Sequence, residues 1–242
     1  MSDESPYFSA PLEVNGVTST FTCYDNPLSK HVCCDILEGR TYPFFPFVDG
    51  VETIVDVGAN VGAAAVYFHG LYTEATDHAF EPHRETYFLL QRNTCYHDRI
   101  VTHNFGLSDV DRRVKLFMGR DSVNCSIHPE IAGGAGDYEL VRLRVAADVM
   151  QQLGVSRIDI LKLDTEGCET PILMSIYRLA ANAKVVYLEY HNDDDRLFID
   201  ALLSKTHYLT FAQAHLPNRG EFVYINRKIP FNLDMMKQRA MS

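Results

Sequence analysis

From residue 52 onward, two rhythms of apolar residues alternate along the chain. Short apolar runs of strand length are followed by longer stretches whose apolar positions recur every three or four residues. ETIVDVG (52–58) predicts a strand that ends at a glycine, and VGAAAVYFHGLY (61–72) a helix with small residues on its first turn. TDHAFEP (76–82) predicts a second strand with an acidic end. HRETYFLLQRNTCYH (83–97) carries Tyr87, Leu90 and Thr94 at helical spacing. IVTHNFGLS (100–108) predicts a third strand, and RVKLFMG (113–119) and VRLRV (141–145) alternate as extra strands. AADVMQQLG (146–154) predicts a short helix stopped by Gly154. RIDILKLD (157–164) predicts a strand and CETPILMSIYRLA (168–180) one helix with Pro171 in its first turn. KVVYLEYH (184–191) is a strand, and DDDRLFIDALLSK (193–205) a helix whose acidic start suits the helix dipole. YLTFAQ and EFVYIN close the chain as a hairpin.

Alternating strands and helices predict an α/β fold, a mostly parallel doubly wound sheet covered on both faces, with an antiparallel C-terminal edge. Residues 1–50 read as an irregular extension before a main domain at 51–242. Asn15-Gly16 marks a hairpin there, and the proline-rich aromatic run TYPFFPFVDG (41–50) a lid or collar that packs on the core. The glycine-rich HPEIAGGAGDYE, with Gly133, Gly134 and Gly136, predicts an exposed loop able to close over a substrate.

Composition narrows the class. Of 242 residues, 46% are hydrophobic and 22% charged, which excludes a disordered chain. A formal net charge of -10 makes nucleic acid an unfavoured partner. Arg112, Arg113 and Lys115 are the best candidates for a local basic patch, read as a solvated strand or turn. The six cysteines (23, 33, 34, 95, 125 and 168) have no C-x-x-C spacing, which predicts reduced thiols in the cytoplasm. The acidic N-terminus does not read as a signal peptide, and no apolar run approaches the roughly 18 residues of a membrane span.

Chemistry concentrates at strand ends, where open α/β sheets bind ligands. In VDVGANVG (55–62), Gly58 suits a tight turn and the helix start offers free N–H groups. Asp56 suits a cationic amino group, and Asn60 stands where a dinucleotide fingerprint needs its second glycine. Glu81, followed by Pro82, can accept hydrogen bonds from both hydroxyls of a ribose. Lys162 and Asp164 share one side of a strand, as do Glu189 and His191. His191 is a candidate general base. Asp164, Glu189 and His191 together offer oxygen and imidazole ligands for a divalent cation. Asn124 and Ser126 are candidate contacts to substrate or cofactor.

VDVGANVG, FEP, FGLSD and ILKLDTEGCE, in this order, resemble the FkbM family of methyltransferases over about residues 52–191. The resemblance implies a Rossmann-like class I methyltransferase that uses S-adenosylmethionine, usually to methylate a hydroxyl. It implies that Asp56, Gly58, Ala59, Asn60 and Gly62 hold the aminoacyl end and Glu81 with Pro82 the ribose. His103 to Leu107, including Gly106 and Leu107, would lie near the adenine. Asp164, His191 and Lys162 then surround the nucleophile. The family's Leu-Asp is Ala147-Asp148 here, with Asp148 expected to cap a helix. The expected acceptor is a small molecule or glycan; the oligomeric state is not legible. A nicotinamide-dependent oxidoreductase and a non-catalytic binding module are the competing readings.

Overall fold

A computed structural model describes residues 5–119, 125–133, 136–216 and 218–230. Ser122, Asn124 and Gly134 lie outside the described residues. The chain opens with a hairpin, β1 (Tyr7–Val14) and β2 (Val17–Tyr24), followed by helix α1 (Pro27–Leu37). Then come β3 (Thr53–Val57), α2 (Ala63–Leu71), β4 (Thr76–Phe80), α3 (Arg84–Thr94), β5 (Ile100–His103) and β6 (Gly106–Ser108). β7 (Arg112–Phe117), β8 (Tyr138–Val145), α4 (Ala146–Gln152) and β9 (Ile160–Leu163) follow. α5 (Glu169–Ser175), α6 (Tyr177–Ala180), β10 (Val185–Tyr190), α7 (Asp193–Leu203), β11 (His207–Leu216) and β12 (Arg219–Asn226) complete it.

The main sheet has the order β11-β12-β10-β9-β3-β4-β5. Strands β10, β9, β3, β4 and β5 run parallel, and β12 and β11 add the antiparallel edge. The chain winds outward in both directions from the β3–β9 pair, so the topological switch point lies between them. Alternation sorts the strands' side chains into two cores. Val55, Val57, Leu161, Leu163, Val186 and Leu188 face α4, α5 and α7. Ile54, Ile160, Val185 and Tyr187 face α2 and the aromatic run, of which Tyr42, Phe45 and Val48 are buried.

Four local expectations are corrected. The stretch before residue 51 is not irregular: it holds the expected hairpin and the unforeseen α1, whose cap is the Asn26 side chain accepting from Ser29 N at 2.8 Å. The strand over 100–108 breaks at Asn104, whose side chain donates to the Glu81 and Pro82 carbonyls; β5 stays in the main sheet and β6 joins a second, three-stranded sheet, β6-β8-β7. The helix over 168–180 divides at Ile176 into α5 and α6. Asp148 lies in the first turn of α4, which is capped at Val145.

Candidate active site

The carboxyl ends of β3, β4 and β9 open into one cavity of about 550 Å³, within the range for small-molecule sites. Gly58, Ala59, Asn60, Glu81, Pro82 and Asp164 are on its wall, together with Gly106 and Leu107 from the small sheet. Helix α1 adds Leu28, Val32 and Ile36, so the N-terminal extension forms part of the wall.

The turn after β3 is built by backbone demand. Gly58 has φ +79°, and a Cβ there would run into the Asp164 carbonyl. Asn60 has φ +50°, a region that asparagine tolerates better than most residues, and its side chain accepts from Val61 N at 2.8 Å. Glu81 accepts from Asn60 N at 3.1 Å and His83 N at 2.8 Å. Burial pushes its carboxyl up to about 7, against the lowering effect of those two amides.

Two residues expected to touch the cofactor do not reach the wall. Asp56 is fully buried beneath it, in register with Lys162 on β9. The Lys162 ammonium lies 2.9 Å from Asp56 Oδ1, donates to the Gly58 carbonyl at 2.8 Å, and is 3.9 Å from Asp164 Oδ2. Burial disfavours the Lys162 charge, but Asp56 and Asp164 outweigh it and raise the pKa. Lys162 reaches the wall from below as a fixed cation, which ties the turn to β9 and cannot accept a proton. Gly62, with φ +93°, instead gives α2 close access to Leu90. Of 103–107, only Gly106 and Leu107 reach the wall; His103 stacks on Phe80 at 4.5 Å.

His191, the expected general base, is set among carboxylates. It lies behind the wall, with Nε2 3.0 Å from Glu166 Oε2 and Nδ1 3.2 Å from Glu169 Oε1. Burial alone would lower its pKa; the two carboxylates outweigh burial and raise it to about 11. Its charged form is therefore favoured. Glu169 also accepts from Thr165 N, Thr165 Oγ1 and Gly167 N, so it organises the turn that presents Asp164. Ser126 is used the same way, donating to the Glu166 carbonyl at 2.5 Å.

Sequence reasoning missed Arg219. From the β11–β12 turn it lies 2.5 Å from Glu189 Oε1 and 2.7 Å from Glu166 Oε1. No spacing signal ties residue 219 to 166 or 189. Burial and the negative charge of Asp164 push Glu189 up to about 8, with Arg219 and His191 acting against them. Burial would raise Asp164 as well, but Lys162 and His191 outweigh it and hold Asp164 low. Asp164 is thus favoured as a carboxylate, while Glu189 beside it is raised to about 8. Asp164, Glu166 and His191 present ligand atoms within 4.8 Å of one another and could hold a metal ion. Glu166 takes the place in that set expected for Glu189.

A doubly wound sheet with its cavity at the switch point, closed by a glycine turn and an acidic second-strand end, defines a class I, S-adenosylmethionine-dependent methyltransferase. Residues 56–211 match the family model described as the methyltransferase FkbM domain, and the chain belongs to that family. "Methyltransferase 1" of Beauveria bassiana (strain ARSEF 2860) is 28% identical over 191 residues, 69% of this chain and 76% of that protein. Two solved structures share the fold at TM-score 0.50 and 11% identity, each over 93% of this chain. One is a Methanococcus jannaschii fibrillarin, a pre-rRNA processing protein (86% of that chain). The other is the Aeropyrum pernix fibrillarin with natively bound S-adenosyl-L-methionine (85% of that chain).

These structures correct two expectations. The solved structures resemble the chain in the general Rossmann-type fold and do not themselves mark the FkbM family, which the family model alone carries. The inference from net charge against nucleic acid also falls. A protein with this scaffold is named for processing pre-rRNA, so the scaffold does not exclude RNA, and a total charge does not describe a local face.

Proposed function

We propose that the chain O-methylates a hydroxyl of a small molecule or glycan, with S-adenosylmethionine in the cavity at the β3–β9 switch point. The observation that carries the reading is Glu81: a buried carboxyl on the cavity wall, one turn from the Gly58–Asn60 backbone. Its place at the end of β4 suits two ribose hydroxyls. Gly58, Ala59 and Asn60 give the aminoacyl end a backbone cradle, while Pro82, Gly106 and Leu107 offer apolar contact to the adenine. Bound cofactor supplies an electrophilic methyl on a sulfonium. Asp164 faces that region as a carboxylate, and Glu189 takes the proton that the acceptor hydroxyl loses. Arg219, at 2.5 Å, and His191, at 3.7 Å, hold the Glu189 carboxyl in place. The thiols of all six cysteines are free, which supports a cytoplasmic location. No helix among the described residues is long and apolar enough to cross a membrane.

Calorimetry of the full chain with S-adenosylmethionine, S-adenosylhomocysteine and NAD tests the cofactor. Binding of the first two, lost in Glu81→Ala, is expected; NAD binding in their place would sink the reading. Mass spectrometry and NMR of products from a panel of hydroxylated acceptors test the bond formed. Methyl transfer confined to nitrogen or carbon acceptors would overturn the hydroxyl assignment.

A further inference from the structure

The small sheet has two unlike faces. Leu116, Val141 and Leu143 point inward and are buried, and Leu116 and Leu143 belong to the wall of the cofactor cavity. The alternate residues point outward. β7 and β8 pair antiparallel with Arg113 opposite Arg142, Lys115 opposite Leu140 and Phe117 opposite Tyr138. Directly opposed residues share a face, and so do residues two apart, which adds Arg144. One face therefore carries four cations together with two aromatic rings and Leu140.

Arg113, Lys115, Tyr138, Leu140 and Arg142 on this face are exposed, whereas Arg144 is half-buried and donates to Gln152 Oε1 at 2.5 Å. Tyr138 is 50% and Leu140 62% exposed. Among the described residues, Arg142 is the one cation of the four with an ion pair, to Asp111 at 2.8 Å. Lys115 lies over the Tyr138 ring at 4.1 Å, and Arg144 over the Phe105 ring at 4.8 Å. Like charges directly opposed, as Arg113 and Arg142 are, cost stability unless an anion lies between them. The chain as a whole has a net charge of -10, so this concentration of positive charge is local.

We propose that the outer face of the β7–β8 pair binds single-stranded RNA. The cations track the phosphate backbone, and Tyr138 and Phe117 give unstacked bases a platform. An anionic membrane would also satisfy the charge; the Phe117 and Tyr138 rings, inclined at 61° with centroids 6.2 Å apart, add stacking surface for bases, and preference for vesicles is an outcome of the test. Because the opposite face of the same sheet closes the cavity, RNA bound here leaves the cofactor site unobstructed. This binding does not depend on what the cavity methylates.

Fluorescence anisotropy of the full chain with a labelled 12-nucleotide single-stranded RNA tests the proposal. Parallel arms contain duplex RNA of the same sequence and vesicles with one-third phosphatidylserine. Expected is binding at low salt, with log K falling against log salt at a slope of about -2, for three phosphates at about 0.7 each. Arg113→Glu with Lys115→Glu should weaken binding at least about tenfold, since two phosphate contacts become repulsive. Tyr138→Ala should weaken it about fivefold or more with the slope unchanged, since stacking carries no counterion release. Calorimetric binding of S-adenosylmethionine should be retained in all variants, which shows that they fold. No RNA binding at 20 mM salt, equal binding by the charge-reversed variant, or preference for duplex or vesicles would each overturn the proposal.

Discussion

His191 and Glu189 sit two residues apart on one strand end and are driven in opposite senses. His191 meets Glu166, which is on the cavity wall, and the fully buried Glu169, and the two favour its charged form. Its folded pKa, about 11, lies above its ordinary value of 6.5. The stability it contributes is therefore full below about pH 6.5 and is lost as pH rises through about 11. His191→Ala removes the charge partner of the buried Glu169 and one of the two partners of Glu166, which keeps Arg219. It should destabilise the protein by about 3–5 kcal/mol at pH 7, measured by urea unfolding. A variant that unfolds as the parent does would show that the pair is not formed. Glu189 borders the cavity and is raised to about 8, so its base form accumulates only above that pH. kcat/KM should rise with pH and level off above about 8. In Glu189→Gln it should be flat and about 10²–10⁴-fold lower, the range for loss of a general base. A wild-type profile flat from pH 6 to 9 would exclude this role.

At the scale of elements, the Asn93 side chain ties the N-terminal hairpin to the cofactor turn. Asn93 on α3 accepts from Thr22 N at 2.8 Å and donates to the Thr22 carbonyl at 2.8 Å and the Val61 carbonyl at 2.7 Å. It thus joins β2 to the turn that begins α2. Asn93→Ala would break three buried hydrogen bonds, two of them to carbonyls left without a donor. A loss of about 2–4 kcal/mol follows at about 1 kcal/mol per bond. Weaker S-adenosylmethionine binding in calorimetry should accompany it, because the turn loses its support. Undiminished affinity would mean that the turn is held by Glu81 alone.

For the molecule as a whole, a ligand seated between β3, β4 and β9 touches both halves of the sheet and should stabilise the fold cooperatively. S-adenosylmethionine at 100 times its dissociation constant adds about 2.7 kcal/mol and should raise Tm by several degrees in a thermal scan, while NAD should leave it in place. The same reasoning bears on the metal-capable trio. A cation there would have to compete with the Arg219 guanidinium and the His191 imidazolium for the same carboxylates. Removing divalent ions with EDTA should accordingly leave methyl transfer unchanged; loss restored by magnesium or manganese would show that a cation displaces these pairs.

Hydrophobic periodicity by itself determined the alternating strands and helices, because period-2 and period-3.6 patterns are local properties of the chain. It located the strand ends at Gly58, Glu81 and Asp164, and the glycine turn there was legible because only a few residue types tolerate positive φ. Tertiary structure alone decided what each charge does. Asp56 reads as a ligand in sequence, but the β3–β9 register sets Lys162 beside it. His191 reads as a base, until folding brings Glu166 and Glu169 against it from a different strand end. Arg219 had no signal at all, and the break of residues 100–108 into two sheets depends on where Asn104 finds its acceptors. Alternation in RRVKLF and in YELVRLRV marks each as a strand, but only their antiparallel pairing puts four cations on one face. Pattern is encoded along the chain, whereas charge and protonation are set by neighbours that only the fold supplies.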